Sequence, residues 1–153
     1  TAHAEALPKL VAAALKVNSE VDQVIVGMGP GPFTGLRVGI VFAQTFATAR
    51  KIPWMGACSL DAIDIDSNSY IVTTDARRKE VYWARYESGV RVEGPNVDTP
   101  ISVAGSPDKK FGFGFTEELY PSMALLLAKA MTSPVVEPMY LRRPDAVPTS
   151  ERS

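Results

Sequence analysis

The apolar positions of this chain fall first into a helical rhythm and then into short unbroken runs. In HAEALPKLVAAAL, near the start, Leu7, Leu10, Val11, Ala14 and Leu15 recur at i, i+3, i+4, i+7 and i+8, the spacing that lays one apolar stripe along an α-helix. Pro8 falls inside that stripe and is expected to kink the helix or restart it, because it lacks the amide hydrogen of the helical ladder. QVIVGM at 23–28 is a nearly all-apolar, β-branched run, which predicts a central strand covered on both faces. A glycine-rich turn follows, and then TGLRVGIVFAQTFATAR as a second helix. IPWMGACSL at 52–60 reads as another buried strand. Helix, strand, turn, helix and strand in that order predict an α/β layered domain.

The pattern changes after SLDAIDIDSNSY at 59–70, which turns polar and predicts a lobe boundary. The expected division is an N-terminal α/β lobe at 1–63, a C-terminal lobe at 69–141 and a tail at 142–153. YIVTTDARRKEVYWARY reads as a β-hairpin around a polar turn at Arg77, Arg78 and Lys79. VRVEGPNVDTPISVAGSPDKK, rich in Pro, Gly and Ser, is expected to be mostly loop. KFGFGF predicts a further strand and PSMALLLAKAM a short helix. A strand as apolar as QVIVGM needs neighbours on both edges, yet no strand precedes it, so the opening strands of the fold are expected to lie outside these residues.

Composition narrows the chemistry. The chain has 153 residues, 46% apolar and 22% charged, with a net charge of −1. Those values fit a folded core and exclude nucleic-acid binding driven by bulk charge. One cysteine, Cys58, and one histidine, His3, exclude a disulfide framework and the common zinc sites. No metal site is expected, and the compartment predicted is a reducing cytoplasm. No apolar run approaches the roughly 18 residues of a membrane span. His3 reads as an ordinary helix-start or interface residue, and Cys58, in an apolar strand, as packing rather than a nucleophile.

The turn GMGPGPFTGLRVG at 27–39 invites comparison with phosphate-binding loops. A Walker A loop needs Lys and then Ser or Thr after its second glycine, and Gly35 is followed by Leu36 and Arg37. A dinucleotide fingerprint needs a third glycine where Thr34 or Pro32 stands, and the next strand lacks the acidic residue that holds a ribose. What remains is a stiff strand–helix connection or an anion site without a named motif. Gly29, Gly31 and Gly35 permit close backbone approach, Thr34 is placed to cap a helix starting near Gly35, and amides there would favour an anion. Arg37, a cation in the first turn, is expected to have an anionic partner.

The block GMGPGPFTGLRVGIVFAQTFATARKIPWMGACSLDAI resembles the signature of the TsaB (YeaZ) family of tRNA threonylcarbamoyladenosine biosynthesis. HAEALPKL is similar to that family's first-helix segment, DARRKEVYWARY to its DAR-x-x-EVY hairpin and EPMYLRRPDA to its EP-x-YLR tail. Pro32 stands where the family usually has Ser, and Cys58 replaces a common Ser. The resemblance implies an actin/Hsp70/sugar-kinase-like (ASKHA) fold of two βββαβα lobes, with the first strands missing here. It implies a non-catalytic scaffold subunit that dimerises with the catalytic TsaD subunit, works with TsaE, pairs with itself when alone and meets tRNA through the complex. It implies no tightly held cofactor and at most a weak ATP or ADP site at the complex interface.

The second helix is apolar nearly all round, so it is either deeply internal or buried between its own core and another chain. In a chain of this size the second choice is expected. The resemblance implies that this helix and the first form the inter-subunit surface, with Leu7, Leu10, Val11, Leu36, Gly39, Ile40, Ala43, Phe46 and Ala47 as the expected interface. Arg77, Arg78 and Lys79, with Arg142 and Arg143, are the candidates for tRNA phosphate, against the plainer reading of solvated turn charges. Asp75 reads as a turn-former. The alternative function is an autonomous ATP-binding kinase or ATPase of the actin-like superfamily, for which FGFGF at 111–115 would have to serve as a second phosphate loop.

Overall fold

The computed structural model describes residues 2–141, with side chains from residue 5 onward. His3's side chain, Arg142, Arg143 and the tail lie outside that range. Helix α1 spans Ala2–Val17 and runs through Pro8 without restarting. Strand β1 (Val24–Gly27) leads through the glycine turn into α2 (Phe33–Arg50), and β2 (Trp54–Ala57) follows. β1 and β2 pair in parallel, Val24 opposite Trp54 through Gly27 opposite Ala57. Helix α2 ends at Lys51, whose φ of 57° is left-handed, and the Ile52 amide closes the last turn on the Ala47 carbonyl at 3.0 Å. This is a helix-terminating motif made without glycine.

A 3₁₀ turn at Leu60–Ala62 opens the passage to the second sheet. That sheet holds β3 (Ser69–Asp75), β4 (Val81–Glu87), β5 (Val90–Asp98) and β6 (Lys109–Gly112), in the order β5-β4-β3-β6. β3 and β4 form the expected antiparallel hairpin, and β6 lies parallel to β3. The segment expected to be loop is instead β5 followed by a short helix α3 (Pro100–Ala104). Gly94 and Pro95 are tolerated because β5 is an edge strand and its register shifts between Trp83 and Arg85 of β4, where a bulge absorbs the missing donor. Thr99 caps α3, its hydroxyl accepting from the Ser102 amide at 3.3 Å.

After β6 the chain crosses back. Helix α4 (Met123–Thr132) packs on the first sheet and the 3₁₀ turn, where Leu126 and Ala130 meet Ala57 and Ala62. Backbone bonds fix this return: the Ser122 amide donates to the Ala62 carbonyl at 2.8 Å, Val135 to Gly56 at 2.9 Å and Met139 to Met28 at 2.8 Å. The segment from Ser122 to Met139 therefore builds on the first sheet, although it follows the second in sequence. One apolar core crosses between the sheets: Cys58, Leu60 and Ile63 pack on Tyr70, Val72, Ala84 and Tyr86. The Tyr70 and Tyr86 rings stack there with centroids 5.1 Å apart.

Full burial of β1 is not what the structure shows; Val24–Gly27 are all half-buried. The Val24 and Met28 amides donate to the β2 side, so by strand alternation the backbone groups of Ile25 and Gly27 point to the opposite edge. No strand among the described residues pairs there.

Gly56 has no room for a side chain, since a Cβ would collide with the Met28 side chain and the Val135 carbonyl. Gly56→Ala should destabilise the fold by about 1–3 kcal/mol, read as a lowered urea midpoint, if the returning segment packs on β2 as described. An unchanged midpoint would show that 133–139 does not sit against the strand.

Candidate functional site

The residues expected at a partner interface do not share one environment. Ile40, Ala43 and Ala47 are at most 6% exposed, so they serve this chain's own core, because α2 lies over β1 with that face inward. Leu7, Val11, Gly39 and Phe46 line, with Ala43, an apolar cavity of about 680 Å³ between α1, α2, β1 and α4. Leu36 is half-buried against Gly29. Leu10 alone of the expected set projects strongly outward, at 67% exposed. Two residues that the interface expectation omitted join it: Val17 on α1 and Val41 on α2. Ala6, Leu10, Ala13 and Val17 recur at i, i+4, i+7 and i+11 and are all exposed. That second stripe was visible in the sequence beside the first. It was overlooked because alanine weakens its contrast.

Gly35 and Gly39 sit in α2 with nothing within 4 Å of where a Cβ would be. Neither packing nor a left-handed backbone within the chain requires glycine at these two places, and each costs a helix about 1 kcal/mol relative to alanine.

The glycine turn has a different internal logic from the one expected. Gly29 has φ of 97°, and a Cβ there would lie 2.9 Å from Leu36 and 3.2 Å from the Met139 carbonyl. It is glycine so that the returning C-terminal segment can dock. Gly31 is open on the solvent side. Thr34 does not cap α2; the helix begins at Phe33, behind Pro32, and no side chain caps it. Pro32 itself occupies the N-cap position, with φ −58° and ψ 129°, so the helix starts two residues earlier than a threonine cap would place it. Arg37 has an aromatic neighbour, its guanidinium 5.4 Å from the Phe33 ring centroid, and the Tyr140 ring centroid lies 4.9 Å from that of Phe33.

Beside this turn lies a cleft of about 240 Å³ shared with the second sheet, bordered by Gly31, Ser59, Asp75, Arg77, Tyr82 and Glu118. It falls below the roughly 300–1,000 Å³ of ordinary small-molecule pockets. Two of its side chains are already occupied with each other, Arg77 and Asp75 forming an ion pair at 2.9 Å. Asp75 also accepts the Arg77 amide at 2.7 Å, the turn-forming role expected of it. Arg77, Arg78 and Lys79 are exposed and have φ of 61°, 52° and 63°. Three successive left-handed residues without glycine are strained by about 1–2 kcal/mol each.

FGFGF does not form a phosphate loop in this fold. Gly112 (φ 103°) is pressed against the Thr73 carbonyl, and the Thr73 hydroxyl bonds the carbonyls of Phe111 and Phe113 at 3.0 and 2.9 Å. No cluster of His, Cys, Asp and Glu among the described residues could hold a metal, and no helix of the described residues is long and apolar enough to cross a membrane.

Comparison with known proteins adds to this geometry. The family described as "TsaD: tRNA N6-adenosine threonylcarbamoyltransferase" matches residues 1–137. An uncharacterized protein of Mycobacterium leprae, ML0378, is 46% identical over 96% of this chain, which spans only 46% of that relative's length. The tRNA threonylcarbamoyladenosine biosynthesis protein TsaB of Escherichia coli is 33% identical over 45% of this chain and 32% of its own. The solved structure of YeaZ from Pseudomonas aeruginosa superposes with a TM-score of 0.67 at 25% identity, covering 86% of this chain and 78% of that one. The fold is of the same actin-like type.

Cys58 is fully buried, and burial, with Asp61 nearby, pushes its thiol up to about 11. A group raised this far stays protonated, and hence non-nucleophilic, at neutral pH. Cys58 should therefore not react with an aromatic disulfide reagent at pH 8 in the folded protein and should react fully in denaturant. Prompt reaction without denaturant would contradict its placement.

Proposed function

Because this chain belongs to the TsaB (YeaZ) branch of the tRNA N6-adenosine threonylcarbamoyltransferase family, we propose that it acts as a non-catalytic scaffold subunit in threonylcarbamoyladenosine synthesis. In this reading the outer faces of α1 and α2 dock on the catalytic TsaD subunit, and TsaE completes the assembly in the cytoplasm. Alone, two copies of the chain use the same face to pair.

One observation carries the proposal. Leu10, Val17 and Val41 stand exposed on adjacent helices. An incoming apolar surface would bury these side chains. The buried positions Ile40, Ala43 and Ala47 support the docking helix from behind.

An autonomous kinase or ATPase is less well supported. The glycine turn offers backbone amides at the start of α2 but no lysine, the cleft beside it is small, and FGFGF is committed to contacts with β3. Any ATP or ADP held weakly at the complex interface would then depend on groups from the partner. Contact with tRNA, if made through Arg77, Arg78 and Lys79, would be to phosphate and would carry no sequence information.

Leu10→Glu and Val41→Glu should each weaken binding to a purified TsaD homologue by about 10- to 30-fold, the cost of a charge in a hot spot. Circular dichroism should be unchanged, because both side chains are exposed. Undiminished affinity in folded variants would remove the docking assignment.

A further inference from the structure

Among the described residues, Asp61 is the one buried charged residue, and it lies between the two sheets. The Asp61 carboxylate, in the 3₁₀ turn, is only 6% exposed. It accepts from the Tyr86 hydroxyl at 2.8 Å and from Arg91 Nε at 2.9 Å. The remaining fork of Arg91 donates to the Gly94 carbonyl at 2.8 Å, on the irregular part of the edge strand. The network thus joins the turn after β2 to β4 and β5.

This turn is also tied to the docking helix. Two residues before Asp61, the Ser59 amide donates to the Gly29 carbonyl at 2.8 Å, and Gly29 leads directly into α2. A displacement of Arg91 would therefore be passed through a few bonds to the start of that helix.

Adhesion between the sheets has another source. Cys58, Leu60 and Ile63 already meet Tyr70, Val72 and Tyr86 across an apolar seam, and apolar burial is non-directional. A buried ion pair loses much of its attraction to desolvation, and apolar replacements are often neutral or stabilising. What the pair adds is direction, because charge-assisted hydrogen bonds hold a fixed geometry.

We propose that Asp61, Tyr86 and Arg91 form an orienting clamp that fixes the angle between the second sheet and the α1–α2 layer. The clamp holds the docking face and the Arg77–Lys79 turn in one constant relation. It is independent of whether that face docks a partner, since the angle belongs to this chain alone.

The test separates orientation from stability. Nitroxide labels at Thr48→Cys on α2 and Lys109→Cys on β6, both exposed positions, report the distance between the layers by electron–electron resonance, while Cys58 stays buried and unlabelled. The parent and Arg91→Lys should give a single narrow distance. The triple variant Asp61→Val, Tyr86→Phe, Arg91→Met removes all three polar side chains together, leaving only the edge-strand Gly94 carbonyl without its Arg91 donor. It should melt at or above the parent temperature yet lose the single peak to a broadened or split distribution. A triple variant that keeps the narrow peak would overturn the clamp. So would one that melts well below the parent, because the network would then supply adhesion rather than direction.

Discussion

The arrangement of this molecule depends on the return of its C-terminal segment to the first sheet. Bonds from Ser122, Val135 and Met139 to the carbonyls of Ala62, Gly56 and Met28 bring α4 against the β1–β2 pair. Helix α2 packs on β1, and α4 packs on β1, β2 and the 3₁₀ turn, so the pair gains apolar cover from both helices. The return also explains two glycines. Gly29 admits the Met139 carbonyl and Gly56 admits that of Val135, so a turn that looks like a phosphate loop in sequence owes part of its composition to chain closure.

The same closure shapes the candidate interface. With β1 and α4 beneath it, α2 must bury Ile40, Ala43 and Ala47 inward, which leaves Val41 exposed on its outer side, while Gly39 lines the cavity between the helices beside Ala43. An apolar helix is thereby split between two duties. Its inner stripe belongs to the core, and its outer stripe, with Leu10 and Val17 of α1, is the surface that the proposed scaffold role requires. The buried Asp61–Arg91 pair connects this half of the molecule to the second sheet with a directional bond that the apolar seam lacks.

Much of the fold was legible in the sequence because period and length were clear. The strands around VIV and WMGA, the hairpin after DAR and the helix MALLLAKAM all follow from apolar spacing. β5 was not legible, since Pro and Gly argue for loop unless one knows that the strand lies at an edge and carries a bulge. The pairing of Asp61 with Tyr86 and Arg91 was also hidden, because residues 25 and 30 positions apart reveal no partnership by spacing. At the site, a threonine beside a helix start suggested a cap, but Pro32 had already begun the helix. Arg37 suggested an anionic partner, and its cation–π contact with Phe33, one turn away, was equally open to a reading of the spacing.

The most direct measurement is the yield of N6-threonylcarbamoyladenosine in tRNA, quantified by mass spectrometry. The mixture would contain purified TsaD and TsaE homologues, the enzyme that forms the threonylcarbamoyl adenylate, threonine, bicarbonate and ATP, with or without the full protein that carries this chain. A scaffold subunit predicts product only when the protein is present, and no turnover by the protein alone. Equal product in its absence, or turnover by the protein alone, would contradict that role.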